Sequence, residues 1–441
     1  MNEKPKTGQT PKNRNNNFQF GKKNNIRVVH KIGIPKVNGT IPSKNTTTRS
    51  SSKNFGDKNN SKTMSRGSYQ YGSNKGGRRP KMGNPTPPKE NAVVVRKNKT
   101  NLIPPPEAGV IRIIPLGGVE EIGKNMTAIE IGNDIIVIDA GMQFKTEDTP
   151  GIDYIIPNTT YLEERKDKIR AMLVTHGHLD HIGGIPLVMS RIGNPPLYSR
   201  NLSVLVMKKR QEEFSHLPPL NAHIVEKDSV IYAGNIRIRF FGVTHTMPDS
   251  MGIVIETPYG SIVTPGDYKL DQVDGVVSEE EEKEYEFFDK EKVLLLMTDS
   301  TNIENEGFSI PEIRVHEGLD KLIRQGTGRI IVSAFASSIT RLMKIVEIAE
   351  SLNKKVVLDG RSLKTNMEVC EQAGIFTPKK GTIIPIEDID NYPPNKVLIM
   401  MTGAQGEEFA ALNRAANKTH KKFTIRPGDT IILSSSIVPG N

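Results

Sequence analysis

The chain has 441 residues, with 60 Lys and Arg against 50 Asp and Glu, one cysteine and no tryptophan. That length suits two or three domains; the lone Cys370 excludes a disulfide framework and fits a reducing cytosol. No apolar run is long enough to span a bilayer, so a soluble, cytoplasmic protein without a membrane partner is expected.

Charge is unevenly spread: residues 1–100 hold 23 Lys and Arg against 3 Asp and Glu, and the other 341 hold 37 against 47. Residues 1–105 are rich in Asn, Lys, Ser, Gly and Thr. Segments such as "NRNNNFQFGKKNN" cannot bury enough apolar surface to offset the entropy of ordering, so a disordered basic tail is expected, with "IRVVHKIGIPKV" as its one candidate strand. Such a polycation either solubilises the protein or attracts nucleic-acid phosphates. "NLIPPPEAG" marks the boundary.

From Val110 the texture changes. "VIRIIPLGG" and "MTAIEIGNDIIVIDAG" read as strands, the latter folded at Gly132, Asn133 and Asp134. "IRAMLVT" reads as a strand running into "THGHLDHIGG", and "IGGIPLVMSRI" has helical spacing. "IRIRFFGVTH" and "GIVIETPYGSIVTPGD" read as further strands. The acidic run "SEEEEKEYEFFDKEK" suits a solvated loop or helix face. Together these make a sheet-rich domain over about 106–309. From 310 the texture alternates: helical "EIRVHEGLDKLIRQ", strand "GRIIVSAF", helical "ITRLMKIVEIAESL", strand "KKVVLDG", a helix after Ser362, strand "KVLIMMTG", a helix at 406–416 and strand "TIILSSS". That order implies a parallel sheet covered by helices, so the fold class is α/β.

Three of the nine histidines fall within "THGHLDH". His176, His178, Asp180 and His181 follow a buried strand and precede a helix, which places them on a tight loop at a sheet edge. Alternating positions there can aim His176 and His178 at one point, and Asp180 and His181 at a second point a few ångströms away. That is the arrangement of two-metal hydrolases. A polar turn or helix cap would not need this composition. His245 and Asp267 each close an apolar strand, and supply a third imidazole for the first metal and a carboxylate able to bridge both. Asp139, closing "VIDAG", is expected to orient the histidine loop from behind.

The H-x-H-x-D-H loop with "IDAG", "THTMPDS" and "PGDYK" resembles the metallo-β-lactamase superfamily. "IPLGGVEEIGKNM", "GIDYIIPN", "THGHLDHIGGIP", "TDSTN", "GRIIVSAFAS" and "MTGAQGEEFAALNRAANKTH" narrow the resemblance to the bacterial ribonuclease J family, from about residue 110 to the end. The resemblance implies an αββα lactamase-like sandwich with an inserted β-CASP α/β domain over 310–441. It implies a 5′-to-3′ exoribonuclease and endoribonuclease of mRNA decay and rRNA maturation, acting preferably on 5′-monophosphorylated RNA. It also implies two zinc ions, with manganese as the other candidate, and a homo-oligomer or a paralogous ribonuclease J subunit as protein partner.

Carried over by position, His176, His178 and His245 would hold one zinc, Asp180 and His181 the other, and Asp267 would bridge them. Asp180, His181 and Asp267 are thus the expected catalytic residues. Asp299 in "TDSTN" matches the acidic residue that opens the β-CASP insert, and Phe335, Ala336 and Ser337 match a loop that holds the RNA 5′ end. Thr340 stands where the family has a histidine. The family continues beyond "SSSIVPGN" with a His-Ser-Gly-His-type loop and further strands, so the 441 residues by themselves are expected to form an incomplete, inactive nuclease. The competing readings are another metallo-β-lactamase-fold hydrolase of small esters or amides, and a non-catalytic RNA-binding subunit. The β-CASP-like block and basic tail argue against the first, and the intact histidine loop against the second.

Overall fold

The structure is a computed structural model, and the residues it describes are 103–144, 149–404, 407 and 410–435. The expected basic tail lies outside the described residues as far as 102. At its end, Arg165 Nη2 and Arg112 Nη2 donate to the carbonyls of Ile103 (2.8 Å) and Pro104 (2.9 Å), fixing where the chain enters the fold.

Six strands form the first sheet, in the order Ile111–Gly117, Met126–Ile131, Asp134–Ile138, Ile169–Leu173, Leu197–Ser199 and Ala222–Ile224. The first three pair antiparallel and the last four parallel. A second sheet runs Val293–Leu296, Gly260–Thr264, Met251–Thr257, Ile236–Gly242, Val230–Ala233. Successive side chains of a strand point to opposite faces, and here both faces are apolar. Ile136, Ile138, Ala171 and Leu173 meet Ile238, Phe240, Ile253 and Ile255 between the two sheets. Ile135, Val137, Met172 and Val174 instead pack outward, with Ile185, Val188 and Met189 of the helix Ile185–Ile192.

The outer face of the second sheet has its own cover. Phe241, Val254 and Val263 pack with Tyr285, Phe287 and Phe288. The acidic run is therefore more than a solvated face: Ser278 caps the helix Glu279–Tyr285, and the aromatic residues after the glutamates form the fourth layer. Tyr285, Phe287 and Phe288 are half-buried there, and the apolar area they remove from water favours this packing. The layers are thus helix, sheet, sheet, helix.

A third sheet is entirely parallel, in the order Lys355–Asp359, Val397–Met401, Ile330–Ala334, Thr430–Ser434. The first three of these strands read as continuous apolar runs because helices cover both their faces, whereas Ile431 and Leu433 of the edge strand Thr430–Ser434 are exposed. Val332, Leu358 and Met400 pack with Leu342 and Ile345 of the helix Ile339–Ser351, while Ile331, Val357 and Ile399 pack with Ala411, Ala415 and Phe423. The helices Glu312–Gln325 and Arg361–Gln372 complete the cover. The helix expected over 406–416 is Ala411–Ala416 among the described residues. The lactamase-like sandwich and this unit share an apolar contact in which Leu202 and Met247 meet Ile339, Val369 and Cys370. Among the described residues, no helix is long and apolar enough to cross a membrane.

Candidate metal centre

Every predicted ligand lies at or just beyond the C-terminal end of a strand, so one rim of the two sheets gathers them all. Asp139 follows Asp134–Ile138, and His176 and His178 follow Ile169–Leu173. Asp180 and His181 sit on a one-turn helix, Leu179–Ile182. His245 follows Ile236–Gly242, and Asp267 follows Gly260–Thr264. The one-turn helix is pressed against the rim: Ala140 N donates to His181 O (2.9 Å) and Met142 N to Leu179 O (3.0 Å). Only glycine fits at 141, since a Cβ there would stand 1.5 Å from Asp180 O.

Asp139 is the hub. Its backbone is left-handed (φ 58°), a conformation Asp tolerates better than most residues. Thr175 N donates to Asp139 Oδ1 (2.8 Å), and Thr175 Oγ1 (2.9 Å) and His181 Nδ1 (2.9 Å) donate to Oδ2. With its proton given to Asp139, Thr175 Oγ1 accepts from His176 Nδ1 at 3.0 Å. One carboxylate thereby fixes the N–H of both imidazoles on the outer nitrogen. It leaves His176 Nε2 as a bare lone pair pointing inward, and turns His181 Nε2 inward toward Asp267, where a cation that displaces its proton would find a ligand atom.

His178 is set the opposite way round. Its Nε2 faces Ser337 O (3.4 Å) and Thr246 Oγ1 (3.3 Å), so Nδ1 is the inward atom. His178 Nδ1 lies 3.1 Å from both His176 Nε2 and His245 Nε2. Beside this trio, His181 Nε2 lies 3.2 Å from Asp267 Oδ1 and 3.5 Å from Asp180 Oδ2. Two groups result, His176 with His178 and His245, and His176 with His181 and Asp267, each with its donor atoms within 4.8 Å of one another. Asp180 lies at the edge of the second group.

The electrostatics suit cations. Burial and the neighbouring imidazoles hold His176 well below the usual histidine range, and burial with His178 holds His245 down at about 3, so both are neutral and ligand-ready. Burial also lowers His178, against the pull of Asp180 and Asp267. For His181, burial disfavours charge, but Asp139 and Asp267 outweigh it and raise the group well above its ordinary value. Burial likewise opposes charge on Asp267, yet hydrogen bonding and attraction from His181 push it down to about 2. Inward lone pairs facing one another at 3.1 Å repel unless positive charge lies between them. The residues fit divalent ions.

Asp299 lines the same cavity of about 790 Å³ as Asp180, His181 and Asp267, but its carboxylate accepts from Thr301 N and Oγ1, both at 2.7 Å. The turn Phe335–Ser337 reaches the centre through the Ser337 carbonyl on His178, and Ser337 itself is exposed. Several amides at this turn are already used: Ser338 N donates to Phe335 O, Ile339 N to Ser337 O and Thr340 N to Thr246 O. Asn366 Nδ2 donates to Ala336 O (2.6 Å) and holds the turn from the other side.

Residues 120–333 match the metallo-β-lactamase superfamily, and residues 327–441 match the β-CASP domain of ribonuclease J. Ribonuclease J of Mycoplasma pneumoniae is 37% identical over 331 residues, which are 75% of this chain and 58% of that protein. Ribonuclease J of Thermus thermophilus is 39% identical over 339 residues, 75% of this chain and 59% of that protein. The chain belongs to the ribonuclease J family.

It spans under two thirds of the length of these family members. A crystal structure of a protein of unknown function from Enterococcus faecalis V583 is similar in fold, with a TM-score of 0.52 and 17% identity over 74% of this chain and 88% of that one. Superfamily membership carries a divalent-metal centre with it, and the histidine and aspartate cluster is where the described residues could hold one.

Three residues of the centre escape a reading of the sequence. Thr175 relays Asp139 to His176, and a Thr beside a His carries no signal of its own. Asn125 touches both Asp180 and His181 across more than 50 residues of chain. Asp249, in the loop after His245, accepts from Leu202 N (2.7 Å), Ser203 N (3.3 Å) and Ser203 Oγ (3.1 Å). It caps the helix Asn201–Gln211 and so ties the His245 loop to a helix of the sandwich.

Proposed function

We propose that this centre is the active site of a metal-dependent ribonuclease with 5′-to-3′ exonuclease and endonuclease activity, acting in the cytoplasm in mRNA decay and rRNA maturation. The observation that carries the reading is one contact. A ligand of a lactamase-type metal centre, His178, is braced by the backbone of a β-CASP turn at Ser337. Two zinc ions, or manganese in their place, are the cofactors in this reading, and RNA bearing a 5′-monophosphate is the preferred substrate. The division into a lactamase-like part over 106–309 and a β-CASP part over 310–441 belongs to it as well. So does assembly with a second copy or a paralogous subunit.

In this reading His176, His178 and His245 would hold the first ion, Asp180 and His181 the second, and Asp267 would be shared between them. Bound there, the ions would supply polarisation of a phosphodiester and a lowered pKa for water. The protein's own contribution is orientation. Asp139 keeps two imidazoles in the ligating tautomer, the Ser337 carbonyl keeps a third, and the charge on Asp267 balances the cations. Ser337, exposed beside the centre, is suited to meet phosphate oxygen ahead of the helix Ile339–Ser351. The 23 Lys and Arg of residues 1–100 add long-range attraction for RNA.

The test uses a protein in which this chain is continued to the length of its relatives, with metal and 5′-monophosphorylated RNA. Metal-dependent hydrolysis, abolished in Asp180→Ala while RNA binding persists, is the expected result. RNA binding without hydrolysis would favour a non-catalytic subunit. Hydrolysis of small esters alone would favour another lactamase-fold enzyme.

A further inference from the structure

Asn125 ends the loop before the strand Met126–Ile131, and its backbone is locked from two sides. Its N–H donates to Asp180 O (3.0 Å), and Gly141 N donates to its carbonyl (2.9 Å). The carboxamide faces the cavity beside the second ligand group. Its Nδ2 lies 3.1 Å from Asp180 O, 3.4 Å from Asp180 Oδ2 and 3.1 Å from His181 Nε2.

An amide nitrogen has two hydrogens, and Asp180 O and Asp180 Oδ2 are the two fixed acceptors among these three neighbours. Asp180 O is fixed and takes one. When a cation engages the His181 lone pair, the other hydrogen is left for Asp180 Oδ2. The carboxylate is then turned with its second oxygen toward the ion. Asp180 needs such help most: its side chain is 34% exposed, against 4% for His181 and 29% for Asp267, so packing constrains it least.

We propose that Asn125 is a positioning residue for the second ion, setting its affinity by orienting Asp180 and sharing the ligating face of His181, while leaving the first ion unaffected. The proposal rests on the two-ion reading above. Partners of this kind change metal affinity by about 10–100-fold when removed. Their effect is local, and the side-chain hydrogen bonds of Asn125 are with Asp180 and His181, both assigned to the second ion.

The test titrates zinc into the metal-free protein, with this chain continued to the length of its relatives, and into its Asn125→Ala and Asn125→Asp variants by calorimetry. Cobalt(II) absorption reports the two sites separately. Asn125→Ala is expected to weaken the second ion about 10–100-fold and the first less than about twofold. Asn125→Asp is expected to keep the second ion at least as tight, because it sets a negative charge beside the cation. Equal weakening of both ions in Asn125→Ala would indicate a general structural role and overturn the proposal. So would a second ion held as tightly as in the wild type, or an equal loss in Asn125→Asp. A wild-type chain that takes up a single ion would overturn it together with the two-ion reading, whereas two ions insensitive to Asn125→Ala would overturn it alone.

Discussion

Replacing Asp139 with asparagine changes little in size and keeps a residue type that tolerates the left-handed backbone at this position (φ 58°). It does change what the side chain can accept. The remaining carbonyl oxygen can still take Thr175 N, but an NH2 group now stands where Oδ2 received Thr175 Oγ1 and His181 Nδ1, both at 2.9 Å. Two donors cannot face one another, so the His181 proton moves to Nε2 and blocks that ligand atom. Thr175 Oγ1 accepts from the new amide instead and turns its own proton toward His176 Nδ1, 3.0 Å away. His176 then carries its N–H on Nε2 as well. One substitution therefore puts the wrong tautomer into both ligand groups. At about 10–100-fold per ligand oriented from behind, each ion should be held roughly 1.4–2.7 kcal/mol more weakly. Calorimetric zinc titration of the metal-free protein measures this, with far-ultraviolet circular dichroism to show that the fold is retained. A folded Asp139→Asn variant that binds both ions within about twofold of wild type would refute the tautomer relay.

Gly141→Ala places a Cβ 1.5 Å from Asp180 O, so the ligand-bearing turn must move; zinc uptake should fall and thermal stability drop by about 1–3 kcal/mol, and unchanged values for both would count against the close packing described. Asp249→Ala uncaps the helix Asn201–Gln211 and should destabilise by about 1–3 kcal/mol in urea denaturation, against less than about 0.5 if the cap is unimportant. Burial raises the Asp249 carboxyl above its ordinary value, so its protonated form is favoured in the fold, and stability from this group is lost as pH rises through the raised value. Asp249→Asn should remove that part of the acid-range slope, and an identical stability–pH curve would contradict it. Cys370 is 1% exposed, and burial pushes its thiol up to about 11; alkylation at neutral pH should therefore await unfolding, and rapid labelling of the native protein would show the helix Arg361–Gln372 to be packed otherwise.

The clustering of His176, His178, His181, His245 and Asp267 was legible in the sequence because imidazole and carboxylate are scarce chemistry placed at the ends of apolar strands. His245 and Asp267 are weak signals alone, and became readable through their pairing with the cluster around His176. Strand and helix order was legible for the same reason that the parallel sheet is stable, since Ile330–Ala334 and Val397–Met401 are apolar on both faces. The long-range hydrogen bonds were not legible. Asn125 and Asp249 act through acceptors and donors 46 or more residues away, on loops where no periodicity exists to report a partner. The acidic run was legible as a solvated loop or helix face, and Glu279, Glu280 and Glu282 are exposed on its helix, but the packing of the aromatic residues after it was not, because Phe287 and Phe288 find Phe241 only once the second sheet has formed.

Anomalous diffraction at the zinc edge, on crystals grown with zinc, tests the two-ion centre most directly. The predicted result is two peaks about 3.5–4 Å apart, one coordinated by His176, His178 and His245, the other by Asp180 and His181, with Asp267 reaching both. A single peak, or peaks away from these side chains, would contradict it.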